Sequence, residues 1–308
     1  MLGVVIRSTG SWYDVRNEDG RIVQCKLKGV FRIKGLKATN PIAVGDLVDF
    51  MLTEEDPYGV ITRIEDRKNY IIRKATKLSK SVHIIASNID QLVLVVTLAL
   101  PRTSTGFIDR ILVTAEAYKI PSLIFFNKVD LYNQKLQALH DDISKVYESI
   151  GYPCYEVSAL TGLGIERFIS SLRGKTSLLA GHSGVGKSAL INAIAPEIQL
   201  KTGPLSGFSL KGKHTTTFAE MHHLSFGADI IDTPGIKEFG LVDFYRKELT
   251  HYFPEMFALL DRCKYHNCTH TSEPGCAVIQ AVDENKISSF RYENYLNIFF
   301  GRELESTE

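Results

Sequence analysis

The octapeptide Gly181-His182-Ser183-Gly184-Val185-Gly186-Lys187-Ser188 constrains this chain more than any other segment. It fits G-x-x-x-x-G-K-[ST], follows the apolar run Ser177-Leu178-Leu179-Ala180, and opens a stretch patterned as a helix over 187–194. Glycines let consecutive backbone N–H groups turn inward around phosphates, and the helix N-terminus adds its dipole. A strand, loop and helix in that order belong in a mostly parallel sheet with helices on both faces. In this reading Lys187 reaches the β- and γ-phosphates and the Ser188 hydroxyl ligates Mg²⁺, while Gly181 to Val185, Gly186 and Ala189 complete the cradle.

Strand-like and helical runs alternate ahead of this loop: strands at 92–96, 123–126 and 155–157, helices at 107–118, 134–150 and 165–172. Asn127-Lys128-Val129-Asp130 ends the second of these strands and resembles the N-K-x-D motif of GTPases. Asp130 can accept from the guanine N1 and N2 donors, a pattern adenine does not offer. Asn127 holds the loop, and the Lys128 stem can cover the base. Ser158-Ala159 follows the third strand and resembles the loop whose backbone N–H meets guanine O6. Asp232-Thr233-Pro234-Gly235 follows the strand 229–231 and resembles the D-x-x-G switch, with Asp232 on Mg²⁺ through water and the Gly235 N–H on the γ-phosphate. His214-Thr215-Thr216-Thr217 supplies the threonine that completes the magnesium shell, assigned to Thr216 with Thr215 as the alternative. In ordinary GTPases the phosphate loop comes first. Here the base-reading pair precedes it, a circular permutation that a compact domain with nearby termini tolerates.

Residues 1–70 have another texture. Five short β-rich runs, at 4–6, 13–15, 21–25, 47–50 and 59–64, are separated by turn signals and fit a small barrel of the OB type. From about residue 240 the pattern is helical and ends in an aromatic-rich helix over 287–300. Within it Cys263, Cys268, His270 and Cys276 form C-x₄-C-x-H-x₅-C. Three thiolates and one imidazole suit tetrahedral Zn²⁺, and four protein ligands leave no open position, so the site is structural. The other cysteines, Cys25 and Cys154, read as small core residues.

Lys plus Arg total 36 and Asp plus Glu 35, so the net charge is +1, with 44% apolar and 23% charged residues. This excludes a disordered charged tail or a collagen-like chain. A near-zero total speaks against nucleic acid only if the charge is evenly spread. It is not. Arg21, Lys26, Lys28, Arg32, Lys34 and Lys37 lie in one acid-free run, and Arg67, Lys68, Arg73, Lys74, Lys77 and Lys80 in another. The first run covers a barrel loop suited to RNA, with Phe31 readable as a stacking or a core residue. His222-His223 adds to this surface or does nothing. No apolar run has the length of a bilayer span, and residues 2–6 are too short for a signal peptide. A cytoplasmic protein is expected.

These motifs, with Asn40-Pro41-Ile42-Ala43-Val44-Gly45-Asp46, Asn88-Ile89-Asp90-Gln91, Gly212-Lys213 before His214, and Ile236-Lys237-Glu238-Phe239-Gly240, make nearly the whole chain similar to one family. It resembles the bacterial small-subunit-dependent GTPases of the RsgA/YjeQ/YloQ type. The resemblance implies an OB-fold RNA-binding domain at 1–70, a circularly permuted P-loop GTPase domain at 71–240 and a helical zinc-binding domain at 241–308. It implies GTP or GDP with Mg²⁺, one structural Zn²⁺, binding to the 30S subunit and its 16S rRNA, and turnover stimulated by that subunit. Ile236 stands where many GTPases carry a water-orienting glutamine, and the resemblance suggests His214 as the replacement. It also leaves His266 out of the metal set. A monomer without membrane contact is expected. The rival reading is a non-catalytic RNA-binding scaffold that senses GTP or GDP. A third is a GTPase acting on another RNA or on a protein.

Overall fold

The computed structural model describes residues 1–27, 41–52, 57–74, 82–198, 219–232 and 246–302. Five strands begin the chain: β1 (Leu2–Ser8), β2 (Tyr13–Asn17), β3 (Ile22–Leu27), β4 (Leu47–Leu52) and β5 (Gly59–Ile64). They pair in the order β1-β2-β3-β5-β4, and β4 pairs back to β1, which closes the barrel. Closure leaves no free edge among these strands. Alternate residues point inward: Val5, Tyr13, Val15, Cys25, Val48, Phe50 and Ile61 pack as one buried cluster with Ile42. Cys25 is therefore a core residue, as its sequence surroundings suggested.

A hairpin of β6 (Tyr70–Lys74) and β7 (Val82–Ser87) follows. In sequence, 67–88 shows only as a basic stretch after the barrel. The hairpin's Ile71 and Ala86 are buried against the central core, which anchors it.

The central sheet contains β8 (Gln91–Val96), β9 (Ser122–Asn127), β10 (Cys154–Val157), β11 (Thr176–Ala180), β12 (Glu220–Leu224) and β13 (Ala228–Asp232), in the order β10-β9-β8-β11-β13-β12. The first five are parallel neighbours and β12 is an antiparallel edge. β8 and β9 are buried at every position, which is why they read as unbroken apolar runs. Helices α1 (Thr105–Ala117), α2 (Gln134–Ser149), α3 (Ile165–Leu172) and α4 (Lys187–Ile194) cover the sheet. One face packs Leu92, Leu94 and Val96 with Ile108, Ile111 and Leu112 of α1; the other packs Val93 and Val95 with Phe168 and Leu190. Cys154 belongs to the first of these cores.

The barrel sheet and the central sheet are one ladder. Edge strand β12 is continued by β1 at Arg7↔Glu220, and Glu220 pairs in turn with Asp232. Beside that rung the Arg16 guanidinium makes two 2.8 Å bonds to the Asp229 carboxylate. β12 itself was not anticipated; its Met221 and Leu224, three residues apart, join the cores on opposite faces of the sheet.

The C-terminal part holds α5 (Pro254–Phe257), α6 (Ala277–Asp283) and α7 (Ser289–Phe300). Its core contains Phe253, Met256, Val278, Ile287 and Tyr295, and also Val113 from α1. No helix among the described residues is long and apolar enough to cross a membrane.

Candidate nucleotide site and metal centre

The phosphate loop joins β11 to α4 at the C-terminal end of the sheet. Two glycines in it are obligatory. Gly181 has φ +144°, and a Cβ there would lie 2.2 Å from the Val95 carbonyl oxygen. Gly186 has φ +98°, and a Cβ would lie 2.3 Å from Asn127 Nδ2. The second clash shows how close the base-reading loop approaches. Asn127, 1% exposed at the end of β9, donates from Nδ2 to the Val185 carbonyl at 2.8 Å. Lys128, with φ +63°, donates to the Gly184 carbonyl at 2.8 Å and to the Leu100 carbonyl. The two loops that the permutation separates in sequence are thus tied together by side chains of the N-K-x-D segment.

Asp130 accepts from the Ser158 hydroxyl at 2.5 Å, which fixes the carboxylate next to the Ser158-Ala159 turn. The Ser158 N–H is bonded to the Leu163 carbonyl at 2.9 Å. Lys187 turns its amine onto the Gly181 and His182 carbonyls at 2.7 and 2.9 Å. Burial lowers its pKa, and the nearby Asp232 carboxylate works against that shift. Ser188 lies in the first turn of α4 and Asp232 ends β13, beside β11 in the sheet. His182 stacks on Phe107 near the start of α1, ring centroids 3.5 Å apart, a contact that no local motif announced.

The donor set fits a nucleotide. The Asn127 Oδ1 atom is buried without a partner among the described residues, and the glycine cradle excludes any Cβ. The switch residues His214, Thr215, Thr216, Thr217, Thr233, Pro234, Gly235 and Ile236 lie outside the described residues.

The Cys263, Cys268 and Cys276 sulfurs and a His270 ring nitrogen all lie within 4.8 Å of one another. His270 Nδ1 is 3.2 Å from the Cys276 sulfur and 3.6 Å from that of Cys263, separations close to a tetrahedron edge around a Zn-sized ion. Burial pushes the Cys268 thiol up to about 12, so a cation is what would stabilise thiolates here. The loop is held by its own network. Glu273 accepts from the Thr269 N–H at 2.7 Å and from the Thr271 N–H at 2.9 Å. Burial would raise its pKa, but bonds from the Thr269 hydroxyl and from the Thr269 and Ser272 N–H groups outweigh that and keep it at about 2. Tyr292 and Tyr295 of α7 donate to the His270 and Thr269 carbonyls, each at 2.8 Å. The four residues were found by spacing; the tyrosine clamps were not.

Two of the basic residues read as candidate phosphate contacts are already engaged. Arg67 pairs with the fully buried Asp46 (Nε to Oδ1 2.6 Å) and with the Pro41 carbonyl, and Lys68 pairs with Asp90. His223 is bonded to Asp229 at 2.9 Å. Lys28, Phe31, Arg32, Lys34, Lys37, Lys77 and Lys80, with the side chains of Arg73 and Lys74, lie outside the described residues.

Two family models match successive parts of the chain. The family described as RsgA GTPase matches residues 64–242, and the RsgA N-terminal domain matches residues 2–61. A Bacteroides fragilis protein named small ribosomal subunit biogenesis GTPase RsgA is 52% identical over 98% of this chain and 97% of its own length. A protein of the same name from Phocaeicola vulgatus is 54% identical over the same shares. The crystal structure of YjeQ from Thermotoga maritima superposes with a TM-score of 0.78 at 37% identity, covering 99% of both chains. That of YloQ, described as a circularly permuted GTPase, gives 0.75 at 30% identity over 98% of this chain and 94% of that one. With barrel, permuted sheet and Cys₃His cluster all in place, the chain belongs to the RsgA GTPase family.

Proposed function

We propose that this protein hydrolyses GTP, with Mg²⁺, during late maturation of the small ribosomal subunit, and that it binds the 30S particle through 16S rRNA and is stimulated by it. The observation that carries the nucleotide reading is the Asn127–Val185 hydrogen bond, which joins a guanine-type loop to a phosphate loop in one site. Asp130, oriented by Ser158, selects guanine through N1 and N2. The Ser158 N–H is engaged, so O6 falls to the Ala159 N–H. Lys128 covers the base edge with its stem. The N–H groups of 181–189 cradle the phosphates.

On nucleotide entry Lys187 exchanges two backbone carbonyls for the β- and γ-phosphates. Ser188, Thr216 and Asp232 would hold the magnesium, which would neutralise charge that develops on the phosphates. Gly235 meets the γ-phosphate, and His214 orients the attacking water in place of the missing glutamine. The Cys₃His site holds Zn²⁺ as a structural ion. The protein acts as a cytoplasmic monomer without membrane contact.

Turnover measured with and without 30S subunits tests this. Stimulation by the subunit is expected, and its absence in the presence of bound GTP would favour a nucleotide-sensing scaffold, which Ile236 keeps open. His214→Ala is expected to retain GTP affinity and to lose stimulated turnover; unchanged stimulated turnover would remove His214 from the mechanism.

A further inference from the structure

The barrel presents one aromatic group that its own core does not use. Strand alternation sends Tyr13 inward, where it is 1% exposed, and leaves the preceding residue, Trp12, half-buried outside the cluster. Trp12 sits in the turn between β1 and β2. That turn is tied internally: the Thr9 N–H and hydroxyl both donate to the Trp12 carbonyl, at 3.0 and 3.2 Å, and the Tyr13 hydroxyl donates to the Gly10 carbonyl at 3.3 Å. Tyr58, immediately before β5, meets Trp12 edge to face at 5.3 Å between centroids. The Lys26 ammonium of β3 stands 4.3 Å from both ring centroids. Lys26 pairs with Val60 on β5, so the ladder fixes its position relative to Tyr58.

Two rigid rings and a cation are thus assembled where the β1–β2 and β4–β5 turns meet the β3 strand. On an OB barrel this is the face that meets oligonucleotides. We propose that Trp12, Tyr58 and Lys26 form a platform for one unpaired RNA base, which stacks on the aromatic surface while Lys26 takes the adjoining phosphate. Stacking suits any base because each has a π-face, and little ordering is required of a platform already in place. The charge pattern favours a single base over a tracked strand or a duplex. Glu54, Glu55 and Asp56 precede Tyr58 in the sequence, an acidic run that suits a single base better than a row of phosphates. The platform rests on the rRNA reading above and gives it a definite chemical contact.

Trp12 is the only tryptophan in the chain, so its emission reports this site alone. Adding a short single-stranded oligoadenylate to the full-length protein is expected to quench that emission. An abasic oligomer of equal charge is expected not to. Trp12→Leu is expected to weaken oligomer binding about tenfold or more, while Trp12→Phe, which keeps a stacking face, stays within about threefold. Lys26→Gln is expected to lower the slope of log affinity against log salt by about 0.7, the share of one single-strand phosphate. Unchanged basal GTP turnover and melting temperature in Trp12→Leu show that the fold is intact.

If Trp12→Leu binds oligomer and 30S subunits like the wild type, the platform is wrong and the rRNA reading survives. If the wild-type protein binds neither RNA nor 30S subunits, that reading fails first. Quenching by intact subunits but by no single-stranded RNA overturns RNA as the occupant and assigns the face to a protein.

Discussion

On one side the central sheet meets the barrel at the rung Arg7↔Glu220 and the half-buried Arg16–Asp229 pair, and the barrel's Val44, bridged to Ala86, joins the central core. On the other side it meets the C-terminal helices through a shared apolar core and a closed ionic network. Arg291 of α7, 1% exposed, binds both the fully buried Asp109 of α1 and Glu255 of α5. Asn294 and Tyr147 add bonds to Asp109 at 2.6 and 2.7 Å. Burial opposes the charge on Arg291, but the two carboxylates outweigh it and hold its pKa above the usual arginine value. At the first joint the Arg16–Asp229 pair keeps access to water, while Val4 and Ile6 pack against the central core beside Val44. The second pairs both carboxylate oxygens of Asp109 and shares Val113 with the neighbouring core. The C-terminal helices are therefore expected to unfold with α1, and the barrel to detach more readily than they do.

Metal removal should break the comparison most strongly. Where Zn²⁺ binding is also folding free energy, of about 10–16 kcal/mol in small zinc modules, chelation removes much of what holds the loop at 263–276. Protein purified without a histidine tag is expected to carry one zinc per chain by elemental analysis. Cys276→Ser should lose it, with loss of near-ultraviolet dichroism from Tyr292 and Tyr295 and no change at Trp12.

Next in size is Arg291→Ala. It leaves Asp109 and Glu255 buried without their cation, at a cost of about 3–5 kcal/mol, read as a fall in the denaturant midpoint. A loss below 1 kcal/mol would mean that water reaches this joint, and the contrast with the barrel would disappear.

The smallest effect belongs to the barrel joint. Arg16→Ala is expected to cost about 1 kcal/mol, because the pair is partly solvated. Asp229 is held below the ordinary carboxylate range: burial raises its pKa, but hydrogen bonds from Arg16 and His223 lower it further. Its contribution is therefore present above about pH 4, the unfolded value, and is lost as pH falls through the lower folded one. Fluorescence energy transfer between labels on barrel and central sheet should report separation on acidification below pH 4, before the C-terminal joint opens. An energy-transfer signal unchanged by acidification would remove Asp229 from the joint.

The parts that could be read from sequence were those whose physics is local. The phosphate loop needs its glycines within eight consecutive residues, the metal ligands crowd into one short loop, and the barrel strands alternate in and out residue by residue. What escaped was set by partners far along the chain. Arg67 looked like a phosphate contact because its own run contains no acid, yet Asp46 lies 21 residues earlier. Arg16 and Asp229 are 213 residues apart, and nothing near either announces the other. The edge strand β12 was obscured by its own sequence, Glu-Met-His-His-Leu, whose two apolar residues face opposite sides of the sheet and so show no alternation. The tyrosine clamps were absorbed into an aromatic helix that reads simply as core.

The bond from Asn127 to Val185 also sets a schedule. Its two ends are 58 residues apart, and the amide leaves the translating ribosome first. At about 5–20 residues per second, Asn127 waits roughly 3–12 s for its acceptor. An amide that is 1% exposed in the finished protein must stay hydrated through that interval, so the guanine loop closes late. In an unpermuted chain the phosphate loop would be the part that waits. Here the phosphate loop, not the guanine loop, is the part that completes the pair.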